Sequence, residues 1–284
     1  MKSEEAMTAK TASSSHLAHA GVAVLLLISA PAFAQVAPNL GTAAPFAVLG
    51  TNPIPTVGTV TCTDTGPGIG IFGDVGTTFA SITNTGCTIV GTVVAPVPAQ
   101  VVADYNAAFT AVPVQNPVCT GVIPIVTTTL APGVYCSDAG TTIGAWVTIT
   151  LSGTASDVWI FRVGTLGPGA LTLTGAQVVM AGGADACNVY WRTSAATSVT
   201  DSASFVGTVL SGAATTMTRT NWTGRAMAST DVTLTDPMPM IGCAAAAAAA
   251  SPQQVPTLSE WAMIMLAGLL ALAGFGALRR QTRR

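Results

Sequence analysis

The chain has 284 residues, of which 8% are charged and 6% aromatic, and its formal net charge is −2. Between Gln35 and Ala250 it has no His, Lys or Glu; the only bases there are Arg162, Arg192, Arg219 and Arg225. That composition removes Ser–His and Cys–His nucleophile pairs, histidine zinc sites and any basic surface for nucleic acid, and the aspartates stand singly beside small residues, where turns are their ordinary use.

The first element, residues 1–34, reads as a secretory signal peptide. An apolar stretch from Val22 to Ile28 precedes Ala32-Phe33-Ala34, a small-x-small cleavage pattern, so cleavage is expected before Gln35. Glu4 and Glu5 do not suit a basic leader and point to Met7 as the start. The alternative is a transmembrane helix, for which the apolar part is short.

The body, residues 35–243, is the size of one domain. Its early cluster Gly66-Pro67-Gly68-Ile69-Gly70-Ile71-Phe72-Gly73 has no helix after it and reads as turns between short strands rather than a dinucleotide loop. One segment reads as helix. It opens at Pro98-Ala99-Gln100, carries an apolar stripe of Val101, Val102, Tyr105, Ala108, Phe109 and Val112, and should stop at Pro113. Nearly everything else reads as short strands between Gly and Pro turns. Trp146–Leu151, Ala170–Thr174 and Asp231–Thr235 alternate, whereas Val158–Phe161 and Val189–Trp191 are continuously apolar and suit strands buried on both faces. The pattern is mainly β. It leaves a sandwich, a barrel or an irregular solenoid open, since no strict repeat length appears.

Six cysteines, Cys62, Cys87, Cys119, Cys136, Cys187 and Cys243, all lie in the body. An even number in an exported chain suggests three disulfides. Pairing consecutive cysteines gives Cys62–Cys87, Cys119–Cys136 and Cys187–Cys243; buried free thiols are the alternative.

Residues 244–254, alanine-rich and then Ser-Pro-Gln-Gln, read as a linker. Residues 255–284 form the last unit. Trp261 to Leu278 is uncharged and, at about 1.5 Å per helical residue, long enough to span most of a bilayer. Arg279, Arg280, Arg283 and Arg284 then hold that end in the cytoplasm. Before the helix stand Val255, Pro256, Thr257, Leu258, Glu260 and Trp261. This order resembles the IPTL-type C-terminal sorting signal of Gram-negative bacteria, with Val255 for the usual Ile. The resemblance implies an exosortase-like sorting enzyme as partner, passage through the inner membrane and delivery to the cell surface or the exterior. A plain membrane anchor is the alternative.

The body carries a second resemblance. Leu40-Gly41-Thr42-Ala43-Ala44-Pro45-Phe46-Ala47-Val48-Leu49 is followed by Ile71–Gly76, the helix with Asp104-Tyr105, Leu130–Tyr135, Val158–Gly164, Ala186–Trp191, Ser204–Leu210 and Asn221–Ala226. In that order they resemble the ice-binding protein family of bacteria, diatoms and fungi. The resemblance implies an irregular right-handed β-solenoid of triangular section with one long α-helix packed alongside, and a partner that is ice or ordered water. It implies no enzyme activity, cofactor or metal.

In such a fold, strands about 4.8 Å apart carry outward residues about 6.7 Å apart, so Thr-x-Thr strands set hydroxyls and methyls on a grid. The candidates are Thr148 and Thr150, Thr172 and Thr174, Ser198 and Thr200, Thr216 and Thr218, and Thr233 and Thr235, around inward Ile149, Leu173, Val199, Met217 and Leu234. The family's Thr-Ala/Gly-x-Thr/Asn pattern is met only loosely, at Ser194–Thr197 and Gly212–Thr215. Arg219 stands within the Thr216–Thr220 stretch, where it either breaks the flat face or turns inward toward an Asp. A structural or adhesive surface protein on the same scaffold, without ice activity, is the competing expectation.

Overall fold

A computed structural model of the chain describes residues 35–52, 58–66, 70–237 and 239–243. The leader, the linker, the sorting motif and the apolar tail lie outside the described residues. The described part is mainly β with a single α-helix, Ala99–Gln115, and its paired strands all run parallel.

The chain visits three strand layers in rotation. Val189–Thr193 lies in the sheet beneath the helix, Thr197–Thr200 in a second sheet, and Phe205 begins a third layer. Two long strands, Phe205–Ser211 and Trp222–Ala228, bend from the third layer into the helix-side layer. Gly207 and Gly224 make that bend at φ +112° and +149°, a region closed to other residues. A Cβ at Gly224 would also collide with the Gly207 carbonyl. The three-stranded sheet of Thr128–Leu130, Thr148–Ser152 and Gln177–Ala181 continues this third layer, through the Val178 N–H bond to Ser204 O at 2.9 Å.

Chain order and spatial order differ at one place. Strands from the N-terminal part stack on the C-terminal end: Val48–Gly50 pairs with Ala226–Ala228, Val60–Thr63 with Val232–Thr235, and Ile71–Phe72 with Met240–Ile241. The helix then carries the chain back along the stack. Its 17 residues cover about 25 Å. This reordering hides any sequence repeat.

The helix buries Val101, Tyr105, Ala108 and Val112, four of the six residues of the expected stripe, while Val102 and Phe109 are half-buried. Their partners include Leu49, Val134, Ile160, Leu210 and Met227 on the sheet below. Full burial of one such aliphatic side chain is worth about 1.5–3 kcal/mol. The buried Tyr105 Oη donates to Ser211 O at 2.6 Å. The helix runs past Pro113 to Gln115, a correction to the stop expected there. A proline in the last turn forfeits one N–H bond, the one to Phe109 O, yet the helix still closes beyond it: the Asn116 backbone N–H and Nδ2 both donate to Val112 O. The helix also explains the continuously apolar strands. Trp159, Ile160 and Phe161, like Val189, Tyr190 and Trp191, are buried because one face meets the interior and the other the helix layer.

Inside, an aromatic ladder runs across successive strands. Tyr135, Phe161 and Trp191 occupy one register position, with centroid separations of 5.5 and 3.8 Å. Phe205 and Trp222 extend it. The indoles of Trp191 and Trp222 donate to Val206 O and Gly207 O, so the ladder leaves no indole N–H unpaired there. Disulfides join Cys62 to Cys87, Cys119 to Cys136 and Cys187 to Cys243, the consecutive pairs. Trp146 does not join the strand expected to begin with it. It sits in a turn at φ +67° and is 92% exposed, and the strand starts at Thr148.

Candidate functional site

The second sheet has seven strands, ordered in space Thr141–Ile143, Leu171–Thr174, Thr197–Thr200, Thr215–Thr218, Val232–Thr235, Val60–Thr63 and Thr83–Thr85. The same two-residue alternation governs nearly all of them. Ile143, Leu173, Val199, Met217, Leu234 and Cys62 point inward and are buried. The residues on either side of each point outward.

Because pairing runs in register, the outward residues form two straight rows. The first is Thr142, Thr172, Ser198, Thr216, Thr233, Thr61 and Thr83. The second is Thr174, Thr200, Thr218, Thr235, Thr63 and Thr85. Strand spacing makes each step along a row about 4.8 Å, the gap between rows about 6.7 Å and the longer row about 29 Å long. β-branched threonine has few χ1 choices, so in-register neighbours hold hydroxyls and methyls in a repeating orientation. Two parallel rows of fixed, uncharged groups can order a layer of water across a flat patch.

The structure therefore brings together Thr172, Thr174, Ser198, Thr200, Thr216, Thr218, Thr233 and Thr235. It does not bring Thr148 and Thr150 to them: these face outward from the three-stranded sheet, where Thr150 stands between Thr129 and Val179. Five members were missed by sequence reasoning. Thr61-Cys62-Thr63 has the same pattern with a cysteine as its inward residue, and a buried cysteine behaves as a small hydrophobe. Thr142 has Gly144 where a second threonine would stand, and Thr83 and Thr85 flank Asn84, so neither carries the full signal. The loose motifs do not contribute, because Thr197 and Thr215 are buried inward and Thr197 shares a 2.9 Å hydrogen bond with Thr193.

Charge is kept to the edges of this sheet. Asp201, Arg219 and Asp236 follow Thr200, Thr218 and Thr235 at φ between +44° and +55°, turning the chain away from the face. Arg219 is outside the strand and exposed, and its Nε meets Asp201 Oδ1 at 2.6 Å. It thus takes neither of the two places expected: it is outward, yet at the corner and paired with an Asp. The hydrogen bond from Arg219 lowers the Asp201 pKa. Asp236 Oδ1 accepts from the Thr65 backbone N–H and hydroxyl, at 2.9 and 2.7 Å, which lowers its pKa. On the opposite edge Asp231 Oδ1 accepts from the N–H and hydroxyl of Thr59.

Residues 48–238 match the family described as Ice-binding-like, and residues 253–280 match the IPTL-CTERM motif. An ice-binding protein of Flavobacterium frigoris (strain PS1) is 39% identical over 108 residues, 37% of this chain and 37% of that protein. Ice-binding protein K3-B1 of Typhula ishikariensis is 40% identical over 90 residues, 31% of this chain and 35% of that protein. The matched stretch thus spans little more than a third of the length of these relatives. Among solved structures, the Shewanella frigidimarina ice-binding protein_1 domain superposes with a TM-score of 0.61 at 30% identity, covering 74% of this chain and 99% of that one. An ice-binding protein from an Antarctic biological consortium gives 0.58 at 27% identity, covering 74% and 92%.

Proposed function

The chain belongs to the ice-binding-like family, and from that premise we propose that its body adsorbs to ice through the seven-stranded threonine sheet and inhibits crystal growth or recrystallisation. The observation that carries this reading is the register: two outward rows run unbroken by charge across the sheet. Water bridging neighbouring hydroxyls, with the methyls shaping the gaps between them, takes up an ordered layer that merges with a crystal face. Charged side chains would bind water more strongly and in other geometries, which is why their confinement to the corners matters. The ice face in this proposal comprises the two rows, adding Thr61, Thr63, Thr83, Thr85 and Thr142 and leaving out Thr148 and Thr150.

Rotation of the chain through three parallel layers supports a right-handed β-solenoid of triangular section as the scaffold. The IPTL-CTERM match supports export, with residues 1–34 as leader, 35–243 as body, 244–254 as linker and 255–284 as sorting motif, transmembrane helix and basic tail. On this reading an exosortase-like enzyme handles the tail at the inner membrane, and the body reaches the cell surface or the exterior without acting as an enzyme.

The test is ice recrystallisation inhibition, with thermal hysteresis, on the oxidised body from Gln35 to Ala250. Activity that is lost on Thr172→Lys or Thr233→Lys with the fold intact is expected. A folded, inactive body would leave the scaffold without ice binding, as a structural or adhesive surface protein.

A further inference from the structure

Two of the body's arginines stand side by side without an acid. Arg162 and Arg192 share one register position on adjacent strands of the helix-side sheet, Trp159–Val163 and Val189–Thr193. Strand spacing sets them about 4.8 Å apart, and both are half-buried. Their row faces the helix layer: Cys136 on one side and Leu210 on the other are buried against it. Like charges opposite one another on neighbouring strands repel. Burial lowers the pKa of both, and the Arg162 charge lowers that of Arg192 further.

The chain supplies no counter-charge. Among the described residues the one ion pair is Arg219 with Asp201. The aspartates nearest in sequence are spent on turns. Asp138 accepts from the Thr165 hydroxyl at 2.6 Å, Asp157 from the Thr154 N–H at 2.7 Å, and Asp185 from the Cys187 N–H at 2.9 Å. The buried Arg225, by contrast, has Ala44 O, Thr208 Oγ1 and Cys243 O as acceptors.

The two guanidiniums are nevertheless held in place. Arg192 Cζ lies over the Phe109 ring, 4.3 Å from its centroid, which fixes the guanidinium against the helix. Its Nε is buried and has no hydrogen-bond partner among the described residues. Arg162 Nη1 donates to Asn116 O at 2.9 Å and to Pro117 O at 3.2 Å, just past the end of the helix. Each guanidinium has five N–H donors, so both forks keep donors to offer.

We propose that Arg162 and Arg192 form a binding site for a doubly charged tetrahedral oxyanion, a phosphate or sulfate group held between the two guanidiniums beside the C-terminal half of the helix. A charge of −2 matches the two cations. Oxygens at the corners of a tetrahedron can meet forks on two strands at once, whereas a planar carboxylate suits a single fork. Such a ligand removes the repulsion between the arginines and gives the buried Nε a strong acceptor. The group can come as the free ion or as a monoester on a sugar. The site lies in the helix-side layer, apart from the threonine rows, and stands whether or not those rows bind ice.

The test is calorimetric titration of the oxidised full-length chain in detergent with sodium phosphate, sodium sulfate and glucose 6-phosphate. Sodium chloride keeps the ionic strength constant, and the pH is about 7.5, above the second phosphate pKa of about 6. Melting temperature with and without phosphate is the second readout. Saturable one-to-one binding is expected, weakened about tenfold or more by Arg162→Gln or Arg192→Gln and unchanged by Arg219→Gln. Either of the first two variants relieves the repulsion, so each should fold and melt no lower than the parent when phosphate is absent. Binding of glucose 6-phosphate as well as phosphate supports an ester-borne group as ligand, and binding of the inorganic ions alone supports the free ion. A folded parent chain that neither binds nor is stabilised by any of the three would overturn the site. So would stabilisation that Arg162→Gln and Arg192→Gln leave intact, which is the mark of a general salt effect.

Discussion

Thr216 is the middle residue of the first row, with Thr142, Thr172 and Ser198 on one side and Thr233, Thr61 and Thr83 on the other. A lysine there carries a long, strongly hydrated ammonium. It denies close approach over its own strand and over one strand, about 4.8 Å, to each side. What remains is two separate patches of two strands, each with a row length of about 5 Å. The same substitution at Thr142, on the terminal strand, leaves five adjacent strands and a row of about 19 Å. Thr150→Lys alters the three-stranded sheet and leaves both rows whole. If ice adsorption needs a continuous ordered layer, activity should fall in the order Thr150→Lys, Thr142→Lys, Thr216→Lys, with the last nearly inactive. All three positions are outward, so stability should change by no more than about 1 kcal/mol. Thermal hysteresis and recrystallisation inhibition at matched concentrations, beside a melting curve for each variant, would read this out. Equal activity for Thr216→Lys and Thr142→Lys would refute the reasoning from continuity, and loss confined to Thr150→Lys would put the face on the wrong sheet.

Three further outcomes follow from the same geometry. Asp104, Asp201 and Asp236 have folded pKa values held below 3.8 by hydrogen bonds from Thr42, Arg219 and Thr65. Their contribution is therefore full above the unfolded pKa and fades as pH falls through the lower folded values; a melting temperature that is flat near neutrality and drops below about pH 4 is expected, with Asp236→Asn weakening that acid dependence. Replacing Cys119 and Cys136 together by Ser frees a loop with a sequence separation of 17, which should cost about 3 kcal/mol in denaturant unfolding. Tyr105→Phe removes the bond to Ser211 O, but that carbonyl keeps the Ser229 N–H at 2.9 Å, so the loss should be only about 1 kcal/mol.

Local signals in the sequence carried most of the element content. The 3.6-residue stripe of Val101, Tyr105, Ala108 and Val112 marks the helix, and strict alternation marks Leu171–Thr174 and Val232–Thr235. The consecutive cysteines are joined: Cys62–Cys87 and Cys119–Cys136 close between neighbouring turns of the chain, whereas Cys187–Cys243 bridges across two intervening strands. Membership of the threonine sheet was only partly legible. Thr148-Ile149-Thr150 and Thr172-Leu173-Thr174 have the same local pattern, and which layer receives each depends on where in its turn of chain the strand falls. Trp146 at positive φ separates Thr148 from the sheet that holds Thr142. Thr61 and Thr63 were hidden for a different reason. Their places beside Thr233 and Thr235 come from a pairing between residues about 170 apart, which no local pattern reports.

That long-range pairing also bears on what makes the face usable. An ordered water layer needs neighbours fixed relative to one another, and a threonine on an edge strand has a neighbour on one side only. Stacking the N-terminal strands on the C-terminal end turns Val232–Thr235 from an edge into an interior strand, and lengthens the first row by Thr61 and Thr83. The reordering ties the face to the bonds that hold the junction. Asp231 grips Thr59 and Asp236 grips Thr65, one at each edge of the same interface, and each uses a single carboxylate oxygen for two donors. The polar residues at the corners of the sheet thus keep charge off the threonine rows and also clamp the two parts of the chain that those rows span.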